Sequence, residues 1–251
     1  MDTNEYLRTS AAQNVIREQL LSKGKDQAGV PIDYECATLV TSLTDLSNAE
    51  FSDKSAIVLP RKIEGDFEGL ARRMSADIYS GKLKGTLQSD WQKSVRIADS
   101  WLGVETVRAY AADIDAYSRE LVTIIEDMEF LESLGRTPLL KVYSYDYDDD
   151  TVDRPHADPY TPNYSTGEKY DDRYITVYNQ KVTRHAKHQD AEANASLDEI
   201  KTYRLKPGAS VGTFNNCDIW RQACGINKKA KPFIHWSGTE IGDDPKLILT
   251  A

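Results

Sequence analysis

Apolar residues recur every three to four positions through much of the first 135 residues, which is the spacing that buries one face of an α-helix. The pattern is clearest in 106–134, where acidic residues are interleaved with an apolar stripe and where Gly135 and Pro138 end it. Residues 36–46 are apolar enough for a further helix or a buried turn, and the short apolar run 55–59 is typical of a strand. The predicted helices are 11–21, 67–79, 90–102 and 106–134.

After Gly135 the hydrophobic period changes from 3.6 to two, which indicates β-strands. Turn-forming pairs such as Pro207 and Gly208 separate the segments, and several short strands at this spacing are typical of a β-sandwich or barrel. The segment 191–196 is polar and predicts a loop or the start of a helix. The predicted strands are 139–147, 173–178, 199–205, 210–214, 231–235 and 246–250.

Composition bounds the class of protein. The chain has 251 residues, of which 40% are apolar and 28% charged, so we expect a folded, soluble protein of one domain or one domain with a helical extension. A net charge of -9 disfavours non-specific binding to nucleic acid, and the basic segment 181–188 is interpreted as a solvated loop. The chain start has no basic, apolar leader, no apolar run spans a membrane, and three scattered cysteines predict reduced thiols, so we expect a cytoplasmic protein.

Two histidines and one aspartate form the strongest candidate site. His156 and Asp158 are two positions apart, so on an extended segment their side chains share one face. His188 and Asp190 repeat the spacing, but they lead into the polar segment 191–196, so the first copy is preferred. His235 lies in an otherwise apolar strand; alone it would be interpreted as a core histidine. Two imidazoles and one carboxylate arranged as a facial triad hold Fe(II) and leave coordination positions open.

His-x-Asp followed by His235 on a late strand resembles the Fe(II)/2-oxoglutarate-dependent oxygenases, which share the double-stranded β-helix of the wider cupin class. The turn 206–208 and the strand 210–214 resemble the turn and strand that precede the distal histidine in that superfamily. The resemblance covers about 139–251. It implies an α+β protein in which a helical N-terminal region, 1–135, packs on a jelly-roll, cupin-like domain, 136–251, or forms one continuous domain with it.

The resemblance also implies a basic residue after the distal histidine that binds the distal carboxylate of 2-oxoglutarate. No Arg follows His235, and Lys246, which opens the last apolar run, takes this place as a point charge. Arg173 or Arg221 are alternatives from other strands. Tyrosines on the predicted strands are candidates for the pocket lining, although such residues usually serve packing; they are Tyr143, Tyr145 and Tyr178.

The sequence contains three weaker patterns besides the triad. His185 and His188 are three positions apart and would face one side of a helical turn as metal ligands. Cys217 and Cys224 are candidates for a zinc site, although they lack the Cys-x-x-Cys spacing. Ser210 lies in a Gly-x-Ser-x-Gly motif, but a nucleophile elbow requires a following helix, and the sequence predicts strand and turn there.

The leading hypothesis is therefore an enzyme, an Fe(II)- and 2-oxoglutarate-dependent oxygenase that hydroxylates a small molecule or a protein side chain. The resemblance implies decarboxylation of 2-oxoglutarate and hydrogen abstraction from the substrate. Two alternatives stay open, which are a cupin-like metalloprotein that does not use 2-oxoglutarate and a non-catalytic β-helix interaction domain. No nucleic-acid or membrane partner is expected, and the apolar helices leave a homodimer open.

Overall fold

A computed structural model describes residues 30–85, 100–143, 154–163, 166–179, 183–197, 200–237 and 245–251. Within these ranges the chain is α+β, as the sequence predicts, with a sheet-rich part and four α-helices. The helices are α1 (Leu43–Asn48), α2 (Phe67–Tyr79), α3 (Val104–Asp113) and α4 (Ser118–Ser133).

The strands form two large sheets and one small hairpin. The seven-stranded sheet has the order β1 (Ala37–Leu39), β2 (Ala56–Leu59), β13 (Ile219–Ala223), β8 (Asp172–Val177), β15 (Lys246–Thr250), β4 (Leu139–Tyr143) and β3 (Ser100–Leu102). The six-stranded sheet has the order β10 (Ala191–Leu197), β11 (Ile200–Leu205), β5 (His156–Ala157), β14 (Ile234–Ser237), β9 (Thr183–Ala186) and β12 (Val211–Thr213). The hairpin pairs β6 (Thr161–Pro162) with β7 (Lys169–Tyr170).

Alternation of side chains gives the seven-stranded sheet two apolar faces. On one face Ile57 of β2 packs in a cluster with Leu70 and other buried residues of the helices. On the other face Val58 and Trp220 pack in a second cluster with Phe233, which directly precedes β14 of the six-stranded sheet. The molecule therefore has three layers, with the seven-stranded sheet between the helices and the six-stranded sheet.

The strands of the C-terminal half pair in a nested order. β4 pairs with β15, β5 with β14, β8 with β13 and β9 with β12, and every one of these pairings is antiparallel. The first strand thus lies beside the last, the next beside the last but one, and so inward along the chain. This order brings two segments about 80 positions apart together, and it sets His235 opposite His156 in the register of β14 and β5.

Several predicted elements are confirmed, and others are wrong for identifiable reasons. The predictions at 67–79, 55–59 and 246–250 correspond to α2, β2 and β15. Residues 191–196 are a strand, β10, rather than a loop or helix start, because pairing with β11 overrides their low strand propensity. Residues 36–46 contain β1 and the start of α1 instead of one helix or turn.

The long helix predicted at 106–134 is two helices, α3 and α4. Tyr117 separates them and has a left-handed backbone, with φ at 62°. Of the helix predicted at 90–102, residues 100–102 form β3, while 90–99 and the helix at 11–21 lie outside the described residues. The segment 181–188 contains β9 rather than only a solvated loop.

Strands β1, β2 and β3 come from before residue 136 and lie in the same sheet as strands from after it. The division of the chain into a region 1–135 and a domain 136–251 stays a prediction. Within the described ranges, no helix is both long enough and apolar enough to cross a membrane.

Candidate metal centre

The three side chains predicted as metal ligands lie together. Of the residues that the structure describes, His156, Asp158 and His235 are the one group of three or more potential ligands, and one ligand atom from each lies within 4.8 Å of the others. The imidazole centroids are 4.6 Å apart, and Nε2 of His235 is 3.5 Å from Oδ2 of Asp158. Adjacent strands β5 and β14 carry the two histidines, and Asp158 directly follows β5.

Backbone carbonyls fix the tautomer of both histidines. Nδ1 of His156 lies 2.8 Å from the carbonyl oxygen of Arg154, and Nδ1 of His235 lies 3.4 Å from that of Phe233. A carbonyl oxygen only accepts hydrogen bonds, so each Nδ1 carries a proton, and in the neutral form of either ring Nε2 presents the lone pair. The lone pair of His235 then faces a carboxylate oxygen, an arrangement that a shared cation stabilises. Histidine ligands of metals commonly show this geometry, so the residues fit a metal ion.

The charges of the group also suit a divalent cation. Burial lowers the pKa of His235 to about 3. The effect of burial is larger than the opposing effect of the Asp158 charge, so the imidazole is neutral at neutral pH. Burial raises the pKa of Asp158, but the nearby positive charge of Arg173 is the largest of the opposing effects that outweigh it, so that the pKa falls to about 2. At neutral pH the group therefore offers a carboxylate and a neutral His235, the protonation states that metal binding requires.

Two side chains of the seven-stranded sheet hold the Asp158 carboxylate. Nη1 of Arg173 lies 2.7 Å from Oδ2, and Nε2 of Gln222 donates to the same oxygen over 2.8 Å. The role of Arg173 in binding the co-substrate stays a prediction. The structure places its guanidinium beside Asp158, which is one of the candidate metal ligands. Sequence reasoning missed Gln222. The available signal was a polar residue two positions after Trp220, which is the other residue of β13 on that face.

Two lysines lie on the face of the seven-stranded sheet that is turned toward the six-stranded sheet. Lys246 is 1% exposed and shares a strand face with Ile248, which packs in the cluster between the sheets. Lys141 of β4 lies opposite Ile248, and its positive charge contributes to the low pKa of Asp158. Sequence reasoning predicted Lys246 and missed Lys141. Tyr143 pairs with Lys246 through the backbone, and its side chain lies outside the described part of the structure.

The second histidine pair has other partners. His185 is buried on β9, where Nε2 lies 3.0 Å from the carbonyl oxygen of Asp33 and Nδ1 lies 3.4 Å from Sγ of Cys36. His188 lies in a short 3-10 helix, with Nε2 2.6 Å from the carbonyl oxygen of Pro232. The two rings occupy different elements rather than one helical turn, so the i, i+3 arrangement expected from the sequence is wrong.

The remaining candidates that the structure describes lie on or beside β8, β12 and β13. Cys217 and Cys224 are buried at opposite ends of β13. Ser210 is exposed and is followed directly by strand β12, whereas a nucleophile elbow requires a helix at that place.

Arg221 binds Asp172 and carbonyl oxygens of α1 on the helix side of the sheet. On that same side Tyr178 donates a hydrogen bond to Asp127, and Tyr145 lies outside the described residues.

Comparisons with known proteins identify no family for the chain. No protein-family model and no curated protein matches the chain. Among solved structures, the chain is similar to HygX from Streptomyces hygroscopicus with nickel and 2-oxoglutarate bound. The sequence identity is 11%, the match covers 78% of this chain and 81% of HygX, and the TM-score is 0.33. A likeness this distant assigns no function to this chain.

Proposed function

We propose that the chain is an Fe(II)- and 2-oxoglutarate-dependent oxygenase with His156, Asp158 and His235 as its metal ligands. The observation that carries the proposal is the cluster of two imidazoles and one carboxylate, in which one ligand atom from each side chain lies within 4.8 Å of the others and Nδ1 of each imidazole lies against a backbone carbonyl. This donor set is the facial triad of non-haem iron oxygenases. When bound, iron and 2-oxoglutarate supply the oxidising chemistry, and the protein orients the ligands and excludes water around them.

The nested strand pairing supports a double-stranded β-helix, which is the jelly-roll scaffold that the sequence resemblance implies. The first strand pairs with the last and the second with the second-last, and the inner strands continue this order. Such a pairing order describes one long antiparallel hairpin. The eight strands alternate between the sheets, apart from β9 and β12 at the hairpin tip, so the hairpin is wound into a helix. In this proposal the triad lies on the inner face of the six-stranded sheet, near the start of the winding.

We propose Lys246 as the partner of the distal carboxylate of 2-oxoglutarate, with Lys141 on the neighbouring strand as a second positive charge. Burying an ammonium group is unfavourable in itself, and an anionic ligand that reaches the group stabilises it. Both lysines lie on the face turned toward the triad-bearing sheet. The substrate, a small molecule or a protein side chain, and a cytoplasmic location remain part of the proposal.

Turnover of 2-oxoglutarate tests the proposal without knowledge of the substrate. Oxygenases of this class often convert 2-oxoglutarate to succinate slowly even without a primary substrate. The purified protein is therefore incubated with Fe(II), oxygen and 2-oxoglutarate, and the succinate formed is measured by NMR. We expect succinate in the wild type and at least tenfold less in His235→Gln, which removes one ligand. Bound iron without any succinate would contradict the proposal and favour the cupin-like metalloprotein that does not use 2-oxoglutarate.

A further inference from the structure

The carboxylate of Asp158 is fixed from the opposite sheet. Arg173 on β8 and Gln222 on β13 both reach its Oδ2, at 2.7 and 2.8 Å. The two side chains are direct cross-strand partners in the register of β8 and β13, so they approach the same oxygen from neighbouring positions. The main chain is held as well, because the N–H of Gly225 donates to the carbonyl oxygen of Asp158 over 2.7 Å.

The amide of Gln222 has a defined orientation. Nε1–H of Trp220 donates to Oε1 of Gln222 over 3.2 Å, and an indole nitrogen can only donate. The amide oxygen therefore faces the indole, and the NH2 group faces Asp158. Gln222 is fully buried and Trp220 is 2% exposed, so solvent does not compete for either hydrogen bond.

We infer that Gln222, oriented by Trp220, is a positioning residue for the metal ligand Asp158. This inference rests on the proposed function. An unrestrained aspartate rotates about two side-chain bonds, and ordering it on metal binding has an entropic cost. The chain Trp220 to Gln222 to Asp158 removes this freedom before the ion arrives. Arg173 holds the same oxygen and balances its charge, which leaves the charge of the bound cation available to an anionic co-substrate.

Gln222 allows a cleaner test than Arg173, because loss of the guanidinium would remove a positive charge near the metal together with a hydrogen bond. Gln222→Met has a similar length and no charge, and it lacks the donor. A matched control is Thr176→Val, which replaces a fully buried polar residue by an apolar one of similar shape on β8. Thr176 lies on the helix side of the sheet, because it alternates with Ile175 and Val177 of the inter-sheet cluster.

The experiment uses Co(II) alone as the probe, with calorimetry for affinity and the visible absorption of bound Co(II) for ligand geometry. We expect Gln222→Met to weaken Co(II) binding about 10- to 100-fold and to shift the visible bands, while Thr176→Val matches the wild type. Should Gln222→Met fail to fold by circular dichroism, Trp220→Phe takes its place and is expected to shift the same bands with a smaller loss of affinity.

The outcomes separate this inference from the proposed function. Equal Co(II) affinity and identical spectra in wild type and Gln222→Met, or in Trp220→Phe where that variant is used, would overturn the positioning role while leaving the triad intact. A similar loss in Thr176→Val would also overturn it, because general destabilisation of the sheet would then explain both results. Absence of Co(II) binding in the wild type would overturn the metal site itself and this inference with it.

Discussion

At the scale of single residues, the protonation of the imidazoles decides what the site can do. Nδ1 of both His156 and His235 donates to a backbone carbonyl, which leaves Nε2 as the ligand atom. His188 carries the same imidazole side chain, but there it is Nε2 that lies against a backbone carbonyl oxygen, that of Pro232. The proposed ligand histidines therefore differ from His188 in which ring nitrogen lies against a backbone carbonyl.

Substitution of one ligand histidine tests this assignment. His235→Gln removes the lone pair of Nε2, so we expect Fe(II) affinity to fall at least 100-fold. Because the helical layer packs elsewhere, the far-ultraviolet circular dichroism of the variant should match that of the wild type. His188→Gln is the control and should retain the affinity of the wild type. Full metal affinity in His235→Gln would contradict the triad.

His185 makes the metal-free protein sensitive to acid. Burial lowers the pKa of His185 from 6.5 to about 4, and its ring packs against the rings of Phe214 and Phe233. Between these two pH values the unfolded chain binds a proton that the folded chain does not, so the free energy of unfolding falls as the pH drops.

The variant His185→Gln removes this titration. Between about pH 7 and about pH 5 we expect the wild type to lose about 1–2 kcal/mol more unfolding free energy than the variant. The measurement is urea denaturation at both pH values with a chelator present. His235 titrates in the same direction, and it contributes equally to both proteins. An identical loss in both proteins would show that His185 does not titrate in this window.

At the scale of elements, β12 lies close to the segment before β1. A Cβ atom on Gly212 would lie 2.6 Å from Cβ of Asp33 and 2.8 Å from Cε1 of His185. Gly212→Ala therefore forces one of these neighbours to move, and we expect it to lower the free energy of unfolding by about 1–3 kcal/mol. Chemical denaturation measures the change. Ser210→Ala, exposed just before the same strand, should be neutral, and equal values for both variants would contradict the close packing.

The elements also show how far the sequence could predict the fold. α2 and β15 have strong local periodicity and were predicted with correct bounds. β10 was not, because its alanines and polar residues form a strand only through pairing with β11. The break between α3 and α4 was missed since the apolar stripe continues on both sides of Tyr117, whose left-handed backbone no periodicity reveals.

The residues of the candidate site also differ in whether local sequence alone could predict them. His156 and Asp158 were predictable because the two-residue spacing on a strand is local geometry. His235 required a family resemblance, since its position beside His156 depends on the pairing of β5 with β14. Gln222 could be noticed in the sequence only as a polar residue two positions after Trp220. Its role and that of Lys141 could not be predicted, because they depend on which face of the seven-stranded sheet is turned toward the triad, and only the assembled layers determine that face.

At the scale of the whole molecule, the two sheets carry different groups of the proposed site. The six-stranded sheet and the residue after β5 carry the three proposed ligands, and the seven-stranded sheet presents the cations on its facing side. This division predicts that metal binding and 2-oxoglutarate binding can be weakened separately.

Lys246→Met tests this separation. Loss of the buried ammonium should raise the Kd of the iron-loaded protein for 2-oxoglutarate at least tenfold, which is about 1.4 kcal/mol. The Fe(II) affinity should stay within about threefold of the wild type, since Lys246 is not a ligand. Lys201→Met, on the exposed side of β11, is the matched control. A Kd for 2-oxoglutarate equal to that of the wild type would remove Lys246 from the co-substrate site.

The most direct test of the central claim is an anaerobic calorimetric titration of the metal-free protein, first with Fe(II) and then with 2-oxoglutarate. We predict one Fe(II) per chain and 2-oxoglutarate binding that occurs only after iron is bound. Iron binding without subsequent 2-oxoglutarate binding would contradict the oxygenase proposal while retaining the metal site. Absence of Fe(II) binding would contradict the assignment of His156, Asp158 and His235 as a metal centre.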